Sequence, residues 1–170
     1  MYILETLRFL LRETSANDAE QAYLLNSDEE VLRYTGDKAF DSIDQARIFL
    51  ASYDHFKNYG FGRWAVIDKN TKVFCGWCGL KYSSDKNEYD IGFRFFKKYW
   101  NMGYATETAA ACIKLGFEKF GIQEIVGRAM VKNKASIRVL EKIGLVYNSE
   151  FDFDGEPGLI YKIKNQKYDN

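Results

Sequence analysis

What this sequence lacks narrows its reading first. In 170 residues no apolar run approaches about 18, the length a membrane-spanning helix needs. Net charge is missing as well: Lys plus Arg and Asp plus Glu stand at 24 each, for a formal net charge of zero. That balance argues against a broad electrostatic footprint for nucleic acid. The opening, MYILETLRFLLRET, carries charges inside its apolar run and has no basic leading region, so no secretory signal is expected and a cytoplasmic address follows by default. Linker-like stretches, internal repeats and low-complexity tracts are also missing, which favours one domain over residues 1–170 with one core. Hydrophobic residues make up 46% and aromatics 16%, the composition of a folded chain.

Cysteine and histidine are scarce, at three and one. Cys75 and Cys78 form a C-x-x-C, the pattern of a redox pair or of half a zinc site. They fall in a segment that reads as a strand, where positions i and i+3 point to opposite faces. A redox pair of that kind sits where a strand turns into a helix, and a structural zinc site needs two more ligands. Cys112 is the other cysteine, and His55 lies on the polar side of a helical pattern. The expectation is buried structural thiols, a surface histidine and no metal.

Residues 1–12 read as a first strand, although Phe9-Leu10-Leu11 blurs its alternation. Short helical segments follow. Ser27 with Glu30, and Ser42 with Gln45, have capping-box spacing. After Ser42, apolar residues recur at Ala46, Phe49, Leu50, Tyr53 and Phe56, one face of a 3.6-residue period, so a single helix is expected there. Residues 61–68 and 73–82 read as strands joined by the polar turn 69–72, and the turn 83–87 leads into the clearest strand. In it Tyr89, Ile91, Phe93 and Phe95 face one way, while Glu88, Asp90, Gly92 and Arg94 face the other. The period then changes: Ala105, Ala109, Cys112, Ile113, Gly116, Phe117 and Phe120 mark a long helix. A short strand at 125–130, a helix at 133–143 ending at Gly144, and strands near 145–153 and 159–164 around a turn at 154–158 complete the chain. The fold expected is α/β (α+β), a mixed and mostly antiparallel sheet flanked by helices on both faces. A strand–helix–strand unit makes its second half parallel.

Chemistry is concentrated in EYDIGFRFFKKYWNMGYATE, residues 88–107. A strand ends, a basic and aromatic loop follows, and a helix begins near Gly103. Helix starts carry unpaired amides and the positive end of the dipole, which suit phosphate. Glycine at 103 removes the Cβ that would hold a bulky anion off the backbone. Lys97 and Lys98 add positive charge. A glycine at a helix start also has a purely structural reading. The loop has neither the G-x-x-x-x-G-K-[ST] of a P-loop nor the G-x-G-x-x-G of a dinucleotide site. The second stretch is NKASIRVLEKIGL, residues 133–145. Asn133 is either an N-cap above a core stripe of Ile137, Leu140 and Ile143, or, with Ser136, a polar group aimed at a ligand.

The W-N-x-G-Y-A-T-E run at 100–107 and the N-x-x-S-x-x-V-L-E-K-x-G run at 133–144 together resemble the GNAT acetyltransferases. Their closest likeness is to the RimJ/RimL-like branch, named for ribosomal-protein N-terminal acetyltransferases. LETLRFLLR at 4–12 is similar to that branch's first strand, and Asp90-Ile91-Gly92-Phe93 to its E-I-G-Y strand. The resemblance covers essentially the whole chain. It implies a GNAT-like single domain with acetyl-CoA lying in a strand–helix–strand cleft and no metal. By that likeness Phe93, Arg94 and Phe95 would bond the pantetheine arm through their backbone. Lys98, Trp100, Asn101, Met102, Gly103, Tyr104, Ala105 and Thr106 would cradle the pyrophosphate, and Asn133 and Ser136 would meet the pantetheine or the thioester. Trp100 and Asn101 depart from the Gln/Arg and Gly of many members, and Leu140 stands where many have a tyrosine proposed as general acid.

Acetyl transfer requires a neutral amine, so a carboxylate near the cleft is expected to remove its proton. Asp90 matches the family's glutamate and is the first candidate, with Glu88 on the same strand face in reserve. An ordinary solvated acidic face would look the same. Backbone amides near Phe95 would polarise the carbonyl. No cysteine or serine has a visible base partner, which favours direct attack in a ternary complex over an acyl-enzyme. The expected partners are acetyl-CoA and a primary amine, either a protein N-terminus or a small molecule. Neither nucleic acid nor membrane is expected, and the chain should be a monomer or homodimer. The alternative is an acyl-CoA-binding sensor that does not turn over.

Overall fold

A computed structural model of the chain describes residues 2–166. Residues 2–12 form a hairpin, not one strand: β1 (Tyr2–Glu5) runs antiparallel to β2 (Phe9–Arg12). The turn is closed by the Thr6 amide donating to the Phe9 carbonyl at 2.9 Å and the Phe9 amide donating to Thr6 Oγ1 at 3.1 Å. The blurred alternation has a physical origin. β2 is covered on both faces, with Phe9 and Leu11 in one core cluster and Leu10 packed on the other.

Four short helices follow: α1 (Ala19–Ser27), α2 (Glu29–Leu32), α3 (Ile43–Ala51) and α4 (His55–Tyr59). The cap between α1 and α2 is Asp28, whose carboxylate accepts from the Glu30 amide. Ser27 is the last residue of α1, and its hydroxyl donates to the Tyr23 carbonyl instead. Ser42 does cap α3 through the Gln45 amide at 3.1 Å, but Gln45 reaches back to the Asp41 amide and not to its own cap. The stripe from Ala46 to Phe56 spans two helices, because the chain breaks after Ala51 and restarts at His55. His55 is half-buried, not on the surface, and its Nε2 lies 3.1 Å from the Tyr82 carbonyl.

The strands β3 (Arg63–Asp68), β4 (Phe74–Ser83) and β5 (Glu88–Phe95) extend the antiparallel meander. A bulge shifts the β3–β4 register, so that Val66 faces Gly76 while Ile67 faces Phe74. The extra residue turns the strand by one position. Cys75 and Cys78 consequently join the same core cluster, against the expectation of opposite faces. All three thiols are buried and unbridged, and Cys112 Sγ lies 3.8 Å from Cys78 Sγ.

After β5 come a 3-10 turn (Lys97–Tyr99), the long helix α5 (Tyr104–Lys119), β6 (Glu124–Met130), α6 (Lys134–Lys142), β7 (Val146–Phe153) and β8 (Glu156–Lys164). The last hairpin turns on Asp154 and Gly155 alone, both at positive φ, the two-residue turn that matches strand twist; Pro157 and Gly158 belong to β8. Among the described residues the strands make one eight-stranded sheet in the order β1-β2-β3-β4-β5-β6-β8-β7. Every neighbouring pair is antiparallel except β5 and β6. Ala109, Cys112 and Ile113 of α5 and Ile137 and Leu140 of α6 pack on the larger cluster, against Phe9, Trp64 and Ile91 of the sheet. Leu25 of α1 and Val31 of α2 cover Ala65, Ile67 and Phe74 on the other face. No helix among the described residues is long and apolar enough to cross a membrane.

Candidate active site

The site begins with a defect in the sheet. β5 and β6 are parallel neighbours, yet their pairing is confined to Asp90 opposite Val126, near the start of both strands. Toward their C-terminal ends the strands part, and the β5 edge from Ile91 to Phe95 faces a gap. One group on that edge is engaged: the Phe95 carbonyl accepts from the Trp100 indole at 2.9 Å. Phe93 is half-buried, and Phe95 is buried against the larger core.

The start of α5 stands at the mouth of this gap. Its N-cap is Gly103 at φ 74, with no side-chain cap bond, and Asn101 is also left-handed at φ 59. The first-turn amides of Tyr104, Ala105 and Thr106 have no partner within the helix, as at any helix start. Space around Gly103 is open: an added Cβ would meet only Arg8, at 3.4 Å. Trp100, Asn101, Met102 and Gly103 are exposed, while Ala105 and Thr106 are half-buried. Tyr104 contributes its amide but not its ring, which packs on Phe9 at 4.5 Å and stacks on Tyr99 at 5.2 Å. Burial and the neighbouring Cys75 push the Tyr99 phenol up to about 12, so the support beneath the loop stays uncharged.

Of the two loop lysines, Lys97 is paired with Glu30 of α2. Lys98 lies over the Tyr99 ring at 5.0 Å and has no ion pair among the described residues. A cation invisible to the motif reading stands closer: Arg8, from the β1–β2 turn, donates to the Met102 carbonyl at 2.9 Å and lies over the Tyr104 ring at 4.7 Å. Nothing in local spacing marks it, because a turn 95 residues earlier brings it there.

Across the gap, Asn133 caps α6 by accepting the Ser136 amide at 3.1 Å. Its carbonyl oxygen is thus structural, and its amide nitrogen has no partner among the described residues. The Ser136 hydroxyl is likewise without a partner among the described residues, and the residue is half-buried. Leu140 is buried, and its side chain lies 2.5 Å from where a Cβ on Gly127 would stand.

Asp90 and Glu88 point away from α5. Asp90 pairs with Arg63 through Oδ1, and Glu88 pairs with Arg128. Arg63 starts on β3 opposite Gly79, which is opposite Gly92 on β5, and its guanidinium crosses both strands to reach Asp90. Only glycine at 92 permits this, since a Cβ there would lie 2.6 Å from Arg63 Cζ. The free oxygen of each carboxylate, Asp90 Oδ2 and Glu88 Oε1, has no hydrogen-bond partner among the described residues.

Arg94 lies two residues beyond Gly92 on this same face, so its side chain is separated from the gap-side edge. It donates to Asn26 Oδ1 at 2.7 Å and Asp37 Oδ2 at 2.6 Å. Trp77 lies between Arg63 and Arg94, with the guanidinium carbons 5.5 and 5.2 Å from its ring. These three side chains floor a cavity of about 290 Å³ walled by α1, α3 and the segment between α2 and α3. Sequence reasoning identified the two carboxylates but neither arginine partner, because their pairing crosses strands.

The arrangement therefore offers an anion-accepting helix start, an open strand edge and, on the opposite face of the sheet, a cavity of about 290 Å³. Comparison with known proteins points the same way. The profile of the acetyltransferase (GNAT) domain matches residues 8–146. An uncharacterized N-acetyltransferase of Bacillus subtilis, YoaA, is 32% identical over 84% of this chain and 81% of its own. The crystal structure of a GNAT-family acetyltransferase from Bacillus anthracis superposes with a TM-score of 0.82 at 28% identity, covering 96% of this chain and 98% of that one. Spermidine N-acetyltransferase from Vibrio cholerae, solved with CoA and spermine, shares the fold at a TM-score of 0.79 and 18% identity, over 96% of this chain and 99% of its own.

Proposed function

This chain belongs to the GNAT family of acetyltransferases and is an acyl-CoA-dependent enzyme, and we propose that it transfers the acetyl group of acetyl-CoA to a primary amine by direct attack in a ternary complex. The observation that carries the proposal is the parting of β5 and β6 beyond Asp90, with the uncapped start of α5 at its mouth. The pyrophosphate would take the amides from Gly103 to Thr106, with Arg8 and Lys98 beside them. The pantetheine would lie along Phe93–Phe95, and the thioester would end near the closed vertex at Asp90, between the strand edge and Ser136. The amine enters from the cavity face, where Asp90 Oδ2 is the proton acceptor and Glu88 the reserve.

The finer placement, in the RimJ/RimL-like branch, rests on the motifs at 100–107 and 133–144 and on the opening strand sequence. With it go a cytoplasmic setting and a monomer or homodimer. Titration calorimetry with acetyl-CoA, paired with thiol release in the presence of a panel of amines, tests the proposal. Binding with amine-dependent thiol release is expected; absence of binding overturns the cleft assignment.

A further inference from the structure

Resting on that reading, the cavity allows the acceptor's chemical class to be named. Its charged lining comprises Lys38, Arg63 and Arg94 against Asp37 alone, and including Asp90 still leaves an excess of positive charge. A polyamine carries several ammonium groups and needs several unpaired carboxylates. Here both carboxylates face arginines. The remaining walls are apolar or aromatic: Phe40 and Phe49 stand 5.5 Å apart at the outer edge, and Phe49 is 53% exposed although it faces a cavity. The volume, about 290 Å³, is at the small end for ligand sites.

The Arg94 environment indicates where an anion would sit. Its side chain is 9% exposed, whereas that of its partner Asp37 is 59% exposed. Asp37 lies in the segment between α2 and α3 and has no other bond among the described residues that would hold its carboxylate there. An incoming carboxylate can take its place at Arg94, and Asp90 lies on the same face of the strand four residues earlier, its partner Arg63 sharing the Trp77 ring with Arg94.

We propose that the acceptor is a small amine bearing a carboxylate and an apolar or aromatic body, amino-acid-like in class, with Arg94 binding the carboxylate in exchange for Asp37. The chemistry balances simply. The ammonium gives one proton to Asp90 Oδ2, and the neutral nitrogen forms a bond to the acetyl carbon. The carbon–sulfur bond breaks, and CoA leaves as the thiolate, which takes the second proton shed by the nitrogen through solvent.

The test is thiol release by the full chain with matched series. Aromatic and branched amino acids are compared with their carboxamides, with the corresponding simple amines and with spermidine. The acids should exceed their amides at least tenfold in kcat/KM, and spermidine should be poorer still. Two variants should then move in opposite directions. Arg94→Gln should raise KM for the acids at least tenfold more than it raises KM for the amides, and Asp37→Asn should lower KM for the acids at least threefold. Amides equal to acids, spermidine as the best acceptor, or both variants shifting acids and amides alike would each overturn the assignment. Acetyl-CoA affinity, measured separately by calorimetry, isolates the failure. Intact binding with no acid turned over refutes the acceptor class alone, whereas absent binding refutes the cleft as well.

Discussion

The Glu107 carboxylate holds Arg8 twice, taking its guanidinium at 2.6 Å and its backbone amide at 2.8 Å, and takes the Thr6 hydroxyl at 2.7 Å. The first turn of α5 is thereby fixed to the β1–β2 turn, and the loop at Gly103 is held from both sides. A carboxylate in a first turn also complements the helix dipole.

Burial works against the Glu107 charge, but the Arg8 amide, the Thr6 hydroxyl and the Arg8 guanidinium outweigh it and hold its carboxyl below the ordinary 4.5. A carboxylate with a depressed folded value contributes stability above its unfolded value, and this is lost as pH falls through the folded one. Glu107→Gln should therefore cost about 2 kcal/mol near neutral pH, or roughly 4–8 °C in Tm for a chain of this size. The gap between variant and wild type should narrow as pH falls below 4.5 and close once pH has passed the depressed folded value. A constant gap from neutral to acid pH in thermal melts would show that the charge is not what stabilises this joint.

Gly103 is at φ 74 with open space around it. Gly103→Ala meets mainly backbone strain, about 1–2 kcal/mol, and should weaken acetyl-CoA binding by no more than about tenfold. Gly103→Glu places a carboxylate among the first-turn amides and should abolish binding. Calorimetry on variants whose circular dichroism matches wild type checks both. Equal affinities for Glu and Ala would move the phosphate site elsewhere.

How much of this was legible in the sequence depends on the range of the interactions involved. The alternation from Glu88 to Phe95 reported both faces of β5 correctly, because one face meets α5 and the other carries the polar chemistry. The α5 stripe was equally clear. The hairpin at Thr6–Arg8 was not, since it has no glycine, proline or asparagine and is held by Glu107 about 100 positions later. The break after Ala51 escaped because the apolar spacing continues through it. The shared face of Cys75 and Cys78 depends on a bulge defined only against β3. Asp90 and Glu88 were visible as residues, whereas Arg63 reaches Asp90 across β4 and over Gly92, where a Cβ would meet its guanidinium.

Asp90→Asn should lower kcat by ~10²–10⁴ and leave acetyl-CoA affinity within about twofold. The loss should shrink as pH rises, because the amine then deprotonates unaided. The Arg63 guanidinium would lose its charged partner, so melting curves must accompany the rates. If Glu88→Gln shows the full effect and Asp90→Asn none, their roles are exchanged. If neither slows turnover, the face of β5 carries no base.

The three thiols are buried, and burial together with the adjacent Cys78 raises the Cys112 thiol well above its ordinary value. Thiolate is the reactive form. In native protein at pH 7.5 a thiol-specific disulfide reagent should label none of them within minutes, and all three should react once the chain is denatured. Rapid native labelling of Cys75 or Cys78 would revive the redox reading of the C-x-x-C.

By the family likeness Leu140 stands where many members have a tyrosine proposed as general acid, and the structure explains why a tyrosine would not fit there. The side chain is 2% exposed and packs over Gly127, where even one added carbon would crowd it. Leu140→Tyr would overpack this contact, at a typical cost of about 1–3 kcal/mol, and should add no turnover. Ser136 lies one helical turn earlier on nearly the same face, half-buried, with no partner for its hydroxyl among the described residues. Against any strong need for an acid, a CoA thiol that behaves like free cysteine has a pKa near ~8.5 and leaves tolerably as thiolate. The two considerations together favour positioning of the thioester as the serine's proposed role, with proton donation secondary. Ser136→Ala is therefore expected to slow turnover at least tenfold, about 1.4 kcal/mol of transition-state stabilisation, and Leu140→Tyr should not rescue it. Steady-state rates at saturating acetyl-CoA read both effects, and wild-type turnover in Ser136→Ala would leave solvent as the proton source.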